Sequence, residues 1–182
     1  MRMIGILAGL GLALAPALAT AADDSKTVDC SDTALKFEAP GYEVTCKDFS
    51  RSSVSVDSMA IGVKIVSLHA VSTGEQTFLD VVDDHILGSS HVFYHRRSME
   101  SDITARYDAR FADWADEEEE DGFEVKRVTV RFKSDDPVDC LAFRKLGARR
   151  YEGVGGVTVG LTCSYGGREQ AHETLKKFLA ER

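Results

Sequence analysis

The sequence predicts an α+β domain, mainly antiparallel sheet with two or three helices packed on it and stapled by two disulfides. Three observations carry that expectation. Short segments in which apolar and polar residues alternate recur along the chain, without the regular strand–helix alternation of a parallel sheet. Apolar residues at spacings of three and four mark the intervening helices. Four cysteines, Cys30, Cys46, Cys140 and Cys163, form an even set behind an export signal, and such a set reads as a disulfide framework.

The export signal is the first element. Met1-Arg2 precedes an uncharged stretch, 3–22, rich in Leu and Ala. Its apolar core of roughly 15 residues is shorter than the ~20 that a spanning helix needs. The small residues Ala17, Ala19 and Ala21 follow it, and Asp23-Asp24 opens the next segment. This is the pattern of a cleaved Sec signal peptide, taken as 1–21, leaving 22–182 as a single α+β domain. Cys30 stands too far beyond the apolar core for a lipoprotein, and no second apolar run has membrane length. The absence of Asn removes any N-glycosylation site and favours a bacterial origin, so a periplasmic or secreted location is expected.

Losing Arg2 from the 22 Lys and Arg that face 30 Asp and Glu takes the net charge from −8 to −9. An acidic surface repels phosphate backbones, which excludes nucleic acid as a partner.

Of the three possible cysteine pairings, Cys30–Cys46 and Cys140–Cys163 each close a short loop, contributing about 3 kcal/mol in the chain-entropy model. No Cys-x-x-Cys pair suggests redox or zinc chemistry.

In the mature chain, 34–40 and 42–49 read as short strands split by the Pro40-Gly41 turn. The alternation of Ile61, Val63 and Ile65 predicts a strand within 59–71. After a Ser72-Thr73-Gly74-Glu75 turn, Phe78, Leu79, Val82 and Ile86 recur at helical spacing and predict a helix over 76–87 ended by Gly88. The segment 89–98 is readable as strand or loop. Ile103, Tyr107, Phe111 and Trp114 predict a long amphipathic helix over 100–118, followed by a solvated acidic loop, 116–121. Alternation over 123–132 slips between Val125 and Val128, suggesting a bulged strand. Strands at 138–145 and 156–165 can pair antiparallel and bring Cys140 to Cys163, and Ala171, Leu175, Phe178 and Leu179 place a terminal helix over 168–180.

Each chemical pattern is weaker than its structural alternative. Ser164 and Gly166 resemble the end of a Gly-x-Ser-x-Gly elbow, but Thr162 stands where the tight turn needs glycine, and a disulfide-bonded strand end explains the run. His172-Glu173 begins His-Glu-x-x-His, but Lys176 replaces the second ligand. Glycines 153, 155, 156 and 160 form no phosphate loop and are read as a turn. His91 and His95 share a face, with Asp83, Asp84 and His85 upstream, yet no second cluster completes a metal shell. The pair Arg96-Arg97 suits an anion or a partner's carboxylates, as does Arg149-Arg150, and both equally balance nearby acids. His91, His95, Arg96 and Arg97 are therefore retained as candidate binding residues, with no catalytic residue, metal or cofactor assigned.

The function these features favour is a non-enzymatic periplasmic protein that binds a protein or envelope component. It requires an uncovered sheet face or groove. The alternatives are a small secreted hydrolase using His91 or His95 and a periplasmic inhibitor or immunity-type protein that blocks a basic cleft.

Overall fold

The computed structural model describes residues 25–49, 51–56, 59–74, 76–87, 98–133, 136–150 and 153–182. The signal peptide expected over 1–21 lies outside the described residues, as do His91, His95, Arg96 and Arg97.

One antiparallel sheet organises the described chain. Its main path runs through β1 (Lys26–Val28), β2 (Tyr42–Asp48), β4 (Met59–Ser72), β5 (Thr77–Leu87), β12 (Gly156–Ser164), β9 (Val138–Leu146), β8 (Phe123–Arg131) and β6 (Arg110–Ala112). Beside β4 lies β3 (Arg51–Val56), beside β8 lies β7 (Glu118–Glu120), and a separate ribbon pairs β10 (Arg149–Arg150) with β11 (Gly153–Val154). Two α-helices occur among the described residues, the six-residue α1 (Met99–Thr104) and the thirteen-residue α2 (Arg168–Ala180).

Successive strand residues point to opposite faces, and this sheet has a core on each. On the α2 face, Leu68, Leu79, Val81, Phe123, Leu141 and Phe143 meet Leu175, Phe178 and Leu179 of the helix. The rings of Phe143 and Phe178 lie 5.6 Å apart. Gly160 is required here, because a Cβ on it would strike the Phe143 ring and the Asp80 carbonyl. On the α1 face, Met99 and Ile103 pack with Val128, Val130, Ala142, Val159 and Leu161, flanked by Tyr107, Phe111 and Trp114. A buried ion network fixes α1 there: Arg144 Nη1 donates to Asp102 at 2.9 Å and its Nε donates to Glu124 at 2.6 Å.

The α+β expectation with two or three packed helices is corrected. Strands far outweigh helix among the described residues, so the fold is mainly β, with α2 the one long helix among them. The predicted helix over 76–87 is instead β5, a central strand between β4 and β12. Its two faces are both apolar, Leu79 and Val81 towards α2 and Phe78 and Val82 towards the α1 core, and a doubly buried strand shows no clean alternation. The β-branched Val81, Val82 and Ile86 suit a strand.

The predicted helix over 100–118 ends at Thr104. Ile103, Tyr107, Phe111 and Trp114 do share one core, but from a helix, two irregular segments and β6. The acidic loop is also corrected: Glu118–Glu120 form β7, joined to β8 by Asp121-Gly122 at φ 50° and 76°, the left-handed pair that a tight hairpin requires. No bulge interrupts β8 against β9. The slip arises because Phe123 and Val125 bury towards α2, whereas Val128 and Val130 bury towards α1. Segment 34–40 forms no strand, although Leu35 and Phe37 are buried against the α2 core. The end of α2 holds it, through the Glu181 carboxylate accepting from the Glu38 amide and Arg182 donating to the Ala34 carbonyl.

The disulfides join Cys30 to Cys46 and Cys140 to Cys163, the latter two directly opposed across β9 and β12. Two such bonds fit an oxidising, extracellular-type environment. No helix among the described residues is long and apolar enough to cross a membrane.

Candidate functional site

The β4–β5 hairpin builds the candidate site. Its register sets His69 opposite Asp80 and Val71 opposite Phe78, all four pointing to the α1 face. The α1 core covers that face from β5 across to the β6 edge. Towards the β2 edge, Glu43, Thr45, His69 and Val71 are exposed.

Where covered and uncovered regions meet, the sheet opens into a hollow of ≈ 620 Å³. Val71 and Phe78 enter it from the hairpin, Phe132 from the end of β8 and Tyr165 from the turn after β12. Val71 is 38% exposed and Tyr165 47%, and with Leu87 they are the large apolar side chains left open to solvent among the described residues. Phe132 meets Phe78 edge-on, with centroids 5.5 Å apart. The Tyr165 amide donates to the Gln76 carbonyl at 3.4 Å, and Gln76 itself adopts φ 49° at the start of β5, so the turn carrying Tyr165 is tied to the hairpin.

The polar groups in the hollow are few. His69 Nδ1 lies 2.5 Å from Asp80 Oδ1. That hydrogen bond raises the imidazole pKa above its ordinary value, against the opposing effects of partial burial and of Lys47. Asp136 lies on the rim and makes no ion pair among the described residues. The half-buried Tyr107, which does not line the hollow, donates its hydroxyl to the Asp80 carbonyl at 3.4 Å, and burial pushes its pKa far up.

The other histidines stand apart. His85 Nε2 is 2.8 Å from Asp83, whose other oxygen accepts from Thr158 at 2.5 Å. His172 Nε2 is 3.0 Å from Glu120 in a smaller hollow of ≈ 230 Å³ beside Arg127 and Arg168. Each described histidine is thus held by one carboxylate, and none bonds a hydroxyl or thiol among the described residues. No group of three or more His, Cys, Asp or Glu suited to a metal occurs among them either.

Of the residues singled out from sequence, the four cysteines form disulfides, while His91, His95, Arg96 and Arg97 fall outside the described residues. The acidic trio beside them is divided. Asp83 and His85 point to the α2 face, and Asp84 points the other way to an ion pair with Arg106. Ser164 is buried between Thr77 and Gln170, as a strand end. Sequence reasoning missed His69, Asp80, Phe132 and Tyr165. The turn at Ser72–Gly74 was the available signal, since a hairpin closed there sets 69 against 80.

Comparison with protein-family models, curated proteins and solved structures finds no match to this chain.

Proposed function

We propose that this protein is a non-catalytic binding protein of the bacterial periplasm, a single domain left after cleavage of residues 1–21, and that it docks another exported protein in the hollow at the β4–β5 hairpin. The observation that carries this reading is the pair of open apolar side chains, Val71 and Tyr165, beside the Phe78–Phe132 aromatic contact in the largest of the hollows described. Apolar side chains gathered in one concave, polar-rimmed place favour an interaction surface over scattered exposure. The leader and the two disulfides support a location outside the cytoplasm. The hydrolase reading gains nothing from the His69–Asp80 pair, because a nucleophile within reach of the ring is what such chemistry needs.

Isotope-quantified affinity purification from the periplasmic fraction tests the proposal with wild type, Val71→Asp, Tyr165→Ala and the distant Arg127→Ala. One protein should be recovered with wild type and Arg127→Ala and be depleted about tenfold or more with the two groove variants, as for a central apolar anchor. Equal recovery from all four contradicts the docking surface.

A further inference from the structure

The lining of the same hollow narrows the partner. Three aromatic rings and two carboxylates converge on it, and its one basic group, His69, is engaged by Asp80. Asp80 uses Oδ1 for that bond and Asp136 makes no ion pair among the described residues, so carboxylate oxygen remains for a donor from outside. Aromatic faces and carboxylates together favour a cation with an apolar stem, because the ring quadrupole and the negative charge both attract it. The excess of acid over base in the chain, a net charge of −8, draws a basic partner in the same direction.

Resting on the docking reading above, the geometry points to a specific occupant: a segment of the partner protein that places an arginine or lysine side chain between Asp136 and the rings of Phe132 and Tyr165, with a neighbouring apolar side chain against Val71 and Phe78. The basic side chain lays its methylene stem on the aromatic surface and its charged head at the carboxylate rim. Phe132 and Asp136 both lie in the connection between β8 and β9, and Tyr165 joins them from the turn after β12.

Three synthetic hexapeptides serve as probes: alternating Leu and Arg, the neutral Leu–citrulline isostere, and alternating Leu and Glu. Each is titrated into the disulfide-bonded protein at low salt, with amide and methyl NMR shifts reporting both site and affinity. The Leu–Arg peptide should shift Val71, Phe132 and Tyr165 and bind about tenfold tighter than the citrulline peptide, with the Leu–Glu peptide weakest. Asp136→Asn should bring the Leu–Arg peptide close to the citrulline value and leave the citrulline peptide unchanged. Equal binding of the Arg and citrulline peptides at the groove, or a preference unaffected by Asp136→Asn, overturns the cation subsite while leaving the docking groove intact. Absence of groove shifts with every peptide overturns both.

Discussion

His69 and Asp80 face one another directly across the β4–β5 ladder, Nδ1 to Oδ1 at 2.5 Å, at the edge of the hollow. Their neighbours in the same register, Val71 and Phe78, are apolar. A hydrogen-bonded His–Asp pair and the two apolar side chains beside it are thus fixed by one hairpin.

The pair makes stability depend on pH. Because Asp80 raises the folded-state pKa of His69, its contribution is full below the unfolded value of about 6.5 and is lost as pH rises through the raised folded value. Asp80→Asn should return the imidazole to its ordinary range in an NMR titration. Denaturation should show wild type exceeding the variant most between about pH 5 and 6.5, with the gap closing above the folded pKa of His69. A gap that widens with rising pH contradicts this assignment.

Gly160 should tolerate no side chain. A Cβ there meets both the Phe143 ring and the backbone of β5, so relief requires moving a core aromatic or a central strand. Gly160→Ala should cost at least the ~1–3 kcal/mol of an overpacked core in urea unfolding. A change below about 0.5 kcal/mol would show that β12 and β9 are less closely apposed.

Arg144 and Asp102 form a buried pair, their side chains 8% and 3% exposed. Removing Asp102 leaves the buried guanidinium with the partly exposed Glu124 as its remaining carboxylate. Asp102→Ala should destabilise by up to about 3–5 kcal/mol, and the double variant Arg144→Met, Asp102→Leu by less, since the one carboxylate it leaves unpaired, Glu124, reaches water. Equal losses in both would place the cost in the packing of α1 instead.

The Cys140–Cys163 bond closes a separation of 23 residues across two paired strands. Replacing both cysteines with Ala should lower stability by about 3 kcal/mol in the chain-entropy model. Because β9 and β12 remain hydrogen-bonded along their length, far-ultraviolet circular dichroism of the folded variant should stay that of a sheet.

The sequence is most legible where one face of an element is dry and the other wet. The helix at Arg168–Ala180 shows this in Ala171, Leu175 and Phe178, whereas β12 is buried on both faces and is legible because Thr and Gly alternate with its larger apolar side chains. It is least legible at β5, where Leu79 and Val81 bury on one side and Phe78 and Val82 on the other, so that a helical subset can be drawn through a strand. The stripe of Ile103, Tyr107, Phe111 and Trp114 shares a core without sharing a helix, because packing selects side chains whatever backbone delivers them. The same misreading of β5 hid the site: with 76–87 as a helix, nothing places His69 opposite Asp80 or brings Phe132 and Tyr165 beside them. Asp121-Gly122 is a hairpin signal too, passed over when 116–121 is read as a solvated acidic loop.

The docking groove is tested most directly by site-specific photo-crosslinking in intact bacteria exporting the protein, with the photoreactive residue at position 165 and, as control, at position 127. One discrete adduct of the same partner should form from position 165, disappear when Val71→Asp is added, and be absent from position 127. Adducts of similar yield from both positions, or an adduct at 165 indifferent to Val71→Asp, would contradict the groove as the binding surface.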